Sequence, residues 1–141
     1  MGAEFNKLVK FRDNLAKLDE GQSRQFIESA LKELAARLLA KVKKRTPVGI
    51  YPAGSGKNGG TLRRSWTVGK VVRKGGAYSI DIINTVYYAP YVEFGHRARG
   101  GKGWVQGRFM LTISEQELKR DAPRILENKL NKFVGEVLGA K

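Results

Sequence analysis

Residues 23–44 read SRQFIESALKELAARLLAKVKK, and their spacing predicts an amphipathic helix. Ile27, Leu31, Leu34, Leu38 and Val42 recur at three- or four-residue steps, and Phe26, Ala30 and Ala35 widen the stripe. The other face sets Glu28 four residues before Lys32 and Glu33 four before Arg37, the favourable order for helical ion pairs. Asp19 or Ser23 is available as a cap. Lys41, Lys43, Lys44 and Arg45 gather in the last turn, where cations complement the helix dipole, and Thr46-Pro47 stops the helix. A helix apolar on one face must bury that face, so the remainder of the chain has to supply the rest of a core.

Working outward, Phe5, Leu8, Val9, Phe11, Leu15 and Leu18 suggest a short helix before Gly21. After the long helix, VGIYPAGSGKNGG at residues 48–60 has the composition of a flexible loop, because glycine and proline propagate neither helix nor ladder. From Thr61 to Arg73 the pattern alternates, with Trp66, Val68 and Val72 on one side, and Gly75-Gly76 makes a turn. Tyr78, Ile80 and Ile82 then alternate with Ser79 and Asp81, so residues 61–84 read as an antiparallel hairpin. The aromatic stretch YYAPYVEFGH, residues 87–96, leads into a second Gly-rich, basic loop at about 97–107. Phe109, Met110, Ile113 and Leu118 mark a helix, and Asp121-Ala122-Pro123 reads as its stop and as the start of another, with Leu126, Leu130, Phe133, Val137 and Leu138 as the apolar stripe. The order implies an α+β fold: a small antiparallel β-sheet packed against N-terminal and C-terminal helices.

The chain of 141 residues, 41% hydrophobic, suits one domain spanning 1–141. It holds no cysteine, which removes disulfides, thiolate metal sites and cysteine nucleophiles together. No apolar run reaches the ~20 residues of a membrane span, so the expectation is a chain without a membrane segment, folding in the cytoplasm. The net charge of +14 points to an acidic partner. It is uneven: residues 47–108 carry ten cations against two anions and 13 of the 17 glycines, which puts much of the positive charge on turns and loops.

Catalytic chemistry finds little to work with. His96 is the only histidine, and a Glu93–His96 acid/base pair is weighed against a plainer arrangement in which His96 ends a turn and Glu93 pairs with a nearby arginine; the plainer one is favoured. Gly54-Ser55-Gly56-Lys57 lacks the Ser or Thr that a phosphate loop needs after its Lys, since Asn58 follows. No enzyme, cofactor or metal is expected. Arg63, Arg64 and Trp66, with Arg97, Arg99, Lys102 and Trp104, interleave cations and aromatics as a nucleic-acid surface would, which keeps a basic nucleic-acid-binding module as the alternative reading.

Three stretches together resemble the tail-completion, or head–tail joining, family of long-tailed phages and prophages. Arg45-Thr46-Pro47-Val48 leading to Gly60-Thr61-Leu62-Arg63-Arg64-Ser65-Trp66 is similar to its T-P-V…T-G-x-L-R-x-S pattern; Tyr88-Ala89-Pro90-Tyr91-Val92-Glu93-Phe94-Gly95-His96 resembles its Y-A-x-Y-V-E-x-G signature; and Gly107-Arg108-Phe109-Met110 is similar to the start of its last helix. The chain departs from that pattern by inserting the Gly-rich loop from Gly49 to Gly59. The resemblance implies a structural virion protein that closes into a ring, a hexamer, at the connector-proximal end of a phage or phage-like tail; the well-patterned helices and the repulsion between subunits of charge +14 suggest a monomer when isolated. It implies tail-tube or tail-terminator and head-connector proteins as neighbours, DNA nearby, and residence in the virion after assembly in the host cytoplasm. Candidate contact residues are Arg63, Arg64, Tyr88, Tyr91, Arg97, Arg99, Lys102 and Trp104.

Overall fold

The structure, a computed structural model, describes residues 12–49, 54–56, 59–98 and 100–139. Residues 12–16 are helical, and the expected start of that helix at Phe5 lies outside the described residues. The long helix α1, Glu20–Arg45, begins three residues earlier than its apolar stripe suggested. Asp19 is the reason. Its carboxylate accepts the Gln22 N–H at 2.7 Å while the Gln22 side chain accepts the Asp19 N–H at 3.0 Å, a reciprocal capping box that satisfies two otherwise orphan donors. The buried face is Phe26, Ala30, Ala35, Leu38 and Val42, so the centre of the stripe is rotated toward the residues expected only to widen it; Ile27, Leu31 and Leu34 are half-buried.

The C-terminal region corrects the expected break at Asp121-Pro123. One helix, named α4 below, runs unbroken over Met110–Val137 with Pro123 inside it. Pro123 is exposed, so the Lys119 carbonyl that loses its amide partner there faces water, and packing of the helix on both sides of the proline overrides the local preference to stop. The two long helices lie antiparallel. Phe26 and Ala30 of α1 share one buried cluster with Leu18 and Leu130, with Leu126, Phe133 and Val137 against it. Leu38 and Val42 share the other with Leu62, Trp66, Ala89 and Met110. Polar groups follow the same register: Lys129 reaches Glu33 at 3.1 Å, Lys41 reaches Glu117 at 3.2 Å, and Arg45 pairs with Glu117 as well.

Among the described residues between the helices are two short helices, α2 at Thr61–Arg64 and α3 at Ala89–Phe94, and six short strands, β1 Trp66–Val68, β2 Val72–Lys74, β3 Ala77–Ser79, β4 Ile82–Asn84, β5 Gly95–Arg97 and β6 Trp104–Gln106. The expected strand from Thr61 is therefore a helical turn at its beginning. Leu62 and Trp66, four apart, both enter the same cluster, a helical and not a strand spacing. The hairpin that follows is real, with β1 on β4 and β2 on β3, both antiparallel. Its two parts are out of step by one residue, because Gly69, Lys70 and Val71 on the first arm face only Ile80 and Asp81 on the second, a bulge that bends and twists the ribbon. Gly75 and Gly76 both have positive φ, 58° and 83°, as a two-residue hairpin turn of this hand requires. The second loop, expected over 97–107, is closed from both sides by pairing of β5 with β6, which leaves 98–103 as its tip. Antiparallel two-stranded sheets packed with long N- and C-terminal helices make the fold α+β.

Candidate assembly interface

Two structural hubs place the motifs. The first is Thr46, 1% exposed at the end of α1. Its hydroxyl donates to the Val42 carbonyl at 2.6 Å and accepts the buried Trp66 indole N–H at 2.8 Å. Its carbonyl accepts the Arg63 guanidinium at 2.8 and 3.3 Å. Arg64 donates to the Gly59 carbonyl at 3.0 Å, and Asn84 donates to the Leu62 carbonyl at 2.8 Å. The T-P-V and L-R-x-S stretches are thus one hydrogen-bonded joint that locks the end of α1 to the hairpin. A buried Trp66 cannot stack on a nucleobase.

The second hub is Glu93, 6% exposed on α3. Its carboxylate accepts the backbone N–H groups of Leu111 and Thr112, each at 2.9 Å, and the Thr112 hydroxyl at 2.6 Å. Phe109, at the cap position of α4, sits in the left-handed region with φ 48° and provides no side-chain cap of its own. Glu93 supplies the cap from another element, with its negative charge at the positive end of the helix dipole. This corrects the pairing of Glu93 in both weighed arrangements: among the described residues it pairs neither with His96 nor with an arginine. His96 Nδ1 lies 2.8 Å from the Arg97 carbonyl and its ring meets Tyr91 edge-on. Among the described residues, no three His, Cys, Asp or Glu side chains gather as a metal site.

From α3 the chain turns into β5 through Gly95, whose φ of 93° favours glycine. A Cβ there would fall 2.6 Å from the Val105 carbonyl oxygen and 2.7 Å from the Trp104 indole nitrogen, so the indole lies over the space a side chain would occupy. The Arg108 and Phe109 N–H groups bond the Val92 and Glu93 carbonyls at 2.7 and 3.0 Å, which fastens the far end of the hairpin to α3. The result is a hydrogen-bonded clasp with exposed large apolar side chains: Tyr87 is 84% exposed, Phe94 62% and Trp104 60%, and Tyr91 and Val105 are exposed as well.

Of the candidate contact residues, Arg97 and Trp104 are strand partners on this clasp, Tyr91 packs on His96 of the same strand, and Lys102 is exposed near the tip. Tyr88 is half-buried against the core. Arg63 and Arg64 are exposed and also bond the Thr46 and Gly59 carbonyls, away from the clasp, and Arg99 lies outside the described residues. Phe94 was not among the candidates, although its three-residue spacing from Tyr91 places both on one face of α3.

A family model for bacteriophage HK97-gp10-like tail components matches residues 9–95, which takes in α1, the hairpin and α3. The chain belongs to that family. It is accordingly a structural component of a phage tail and not an enzyme, with other tail proteins as its partners. Among curated proteins and solved structures, none matches this tail component. Among its described residues, no helix is long and apolar enough to cross a membrane.

Proposed function

We propose that this tail component is a tail-completion or head–tail joining subunit that assembles as a ring, a hexamer, at the connector-proximal end of the tail. The supporting observation is the clasp: an exposed aromatic surface held on a rigid frame, with no use inside a single subunit. Protein interfaces enrich Tyr, Trp and Phe at their cores, and this chain exposes several of them close together in sequence. In a ring each clasp meets a different surface of the next copy, a heterologous contact that repeats until it closes. Tyr91, Phe94 and Trp104 form the apolar centre of that contact, and Arg97, Arg99 and Lys102 form its charged rim toward tail-tube, tail-terminator or head-connector proteins. In the finished virion the subunit stands close to the DNA that passes the tail end.

Complementation of a deletion mutant tests this reading. Phe94→Ala with Trp104→Ala leaves the subunit folded by circular dichroism but yields unjoined heads and tails under the electron microscope. Normally joined particles from that variant, or from Arg97→Glu with Arg99→Glu, would overturn the joining role.

A further inference from the structure

The outer part of the hairpin, from Lys70 to Ser79, carries three cations and no carboxylate. Lys70, Arg73 and Lys74 are exposed, and so are both strands around them except for a half-buried Tyr78. Some of the protein's other cations are engaged: Arg37, Lys41, Arg45 and Lys129 in ion pairs, Arg63 and Arg64 on backbone carbonyls. On the arm, no ion pair involves Lys70, Arg73 or Lys74 among the described residues. Arg73 stands 5.5 Å over the ring of its strand partner Tyr78, which fixes the guanidinium on one face of the ribbon, while Val72 and Lys74 alternate onto the other. At the base, Glu28 of α1 lines the groove that Lys70 and Lys32 also line.

We propose that this arm binds the phosphate backbone of double-stranded DNA, independently of the ring contact. Its shape favours DNA over an acidic protein. Two strands lie ~4.8 Å apart and end in a Gly-Gly turn without side chains, a ribbon slender enough for a groove ~12 Å wide. It lacks the exposed aromatic anchors of a protein interface, which this molecule concentrates on the clasp instead. Cations presented from both faces of a ribbon meet phosphates on both walls of a groove, and such contacts carry no sequence preference.

Fluorescence anisotropy with a labelled duplex of about 30 base pairs, over salt from about 0.05 to 0.3 M, tests the proposal on the whole protein. The triple variant Lys70→Gln, Arg73→Gln, Lys74→Gln should bind at least about tenfold more weakly at about 0.1 M salt, with a log–log salt slope flatter by about 2 to 3, as expected for three lost phosphate contacts. An equal loss of charge at exposed positions of α4, Lys119→Gln, Arg124→Gln, Lys132→Gln, should change affinity less than about threefold. Lys70→Arg with Lys74→Arg should bind as the unaltered protein does. Equal weakening by both triple variants, no binding by the unaltered protein, or displacement of the duplex by polyglutamate as readily as by competitor DNA would overturn it.

Discussion

Glu93 and Thr112 are joined twice: the carboxylate accepts both the backbone N–H, at 2.9 Å, and the hydroxyl, at 2.6 Å, of the same residue. The pair fixes how α3 meets the start of α4, and through β5 and β6 it sets the outward aim of the clasp. The stretch Tyr91-Val92-Glu93-Phe94-Gly95 thus contains a helix cap that works across the fold, 19 residues away along the chain.

Removing that cap is expected to cost stability more than any change at His96. Glu93→Ala strands two N–H donors at a helix N-terminus, a loss of about 2–3 kcal/mol, whereas Glu93→Gln retains an acceptor and loses about half as much. His96→Ala should change little. Thermal melting of the three variants checks the order, and a Glu93→Ala protein melting with the unaltered one would remove the cap from the account.

The Thr46–Trp66 bond should appear as coupling. Thr46→Val leaves the buried indole N–H without an acceptor, Trp66→Phe leaves the Thr46 hydroxyl with its Val42 bond alone, and the double variant removes both ends of the pair. A double-mutant cycle in urea is expected to give about 1 kcal/mol of interaction energy; additive losses would mean the bond contributes nothing net.

Acid should loosen the pairing of the long helices. The hydrogen bond from Arg45, and next that from Lys41, holds the Glu117 carboxyl down at about 2 from its ordinary 4.5. Glu33 is lowered too, chiefly by its bond from Lys129. A folded-state value below the unfolded one stabilises fully above about 4.5, and the benefit is lost as pH falls toward about 2. Glu117→Gln should therefore flatten the acid side of the stability curve in that window, and an unchanged acid limb would show the pairs to be energetically idle.

Pro123→Ala should stabilise the fold by about 1–2 kcal/mol, since it restores an amide donor in the interior of α4 at the cost of some freedom in the unfolded chain. A lower melting temperature would mean that the proline sets a shape the packing needs.

Salt should promote self-association. Subunits of charge +14 repel at low ionic strength, and the screening length shrinks from ~30 Å at 0.01 M to ~8 Å near physiological salt. Light scattering should show monomers giving way to larger assemblies as salt rises; dissociation with salt would indicate an interface held by charge and not by the clasp's aromatics.

Local pattern was enough to read α1, the hairpin turn at Gly75-Gly76 and the apolar stripe of the last helix, because amphipathic periodicity and turn chemistry act over a few residues. The resemblance carried by Thr46-Pro47-Val48 and Tyr91-Val92-Glu93 was legible as well, but not what those residues do. That Arg63 bonds a carbonyl 17 positions away could not be read locally, and whether Glu93 paired with His96 or capped a helix depended on where α4 begins. Pro123 shows the same limit from the other side: its local preference to break a helix is worth about 3 kcal/mol, and burial of Ile125 and Leu130 beyond it outweighs that. The exposure of Phe94 and Trp104 is likewise a tertiary fact, for an apolar side chain declares itself surface or core only once the frame that could bury it is assembled.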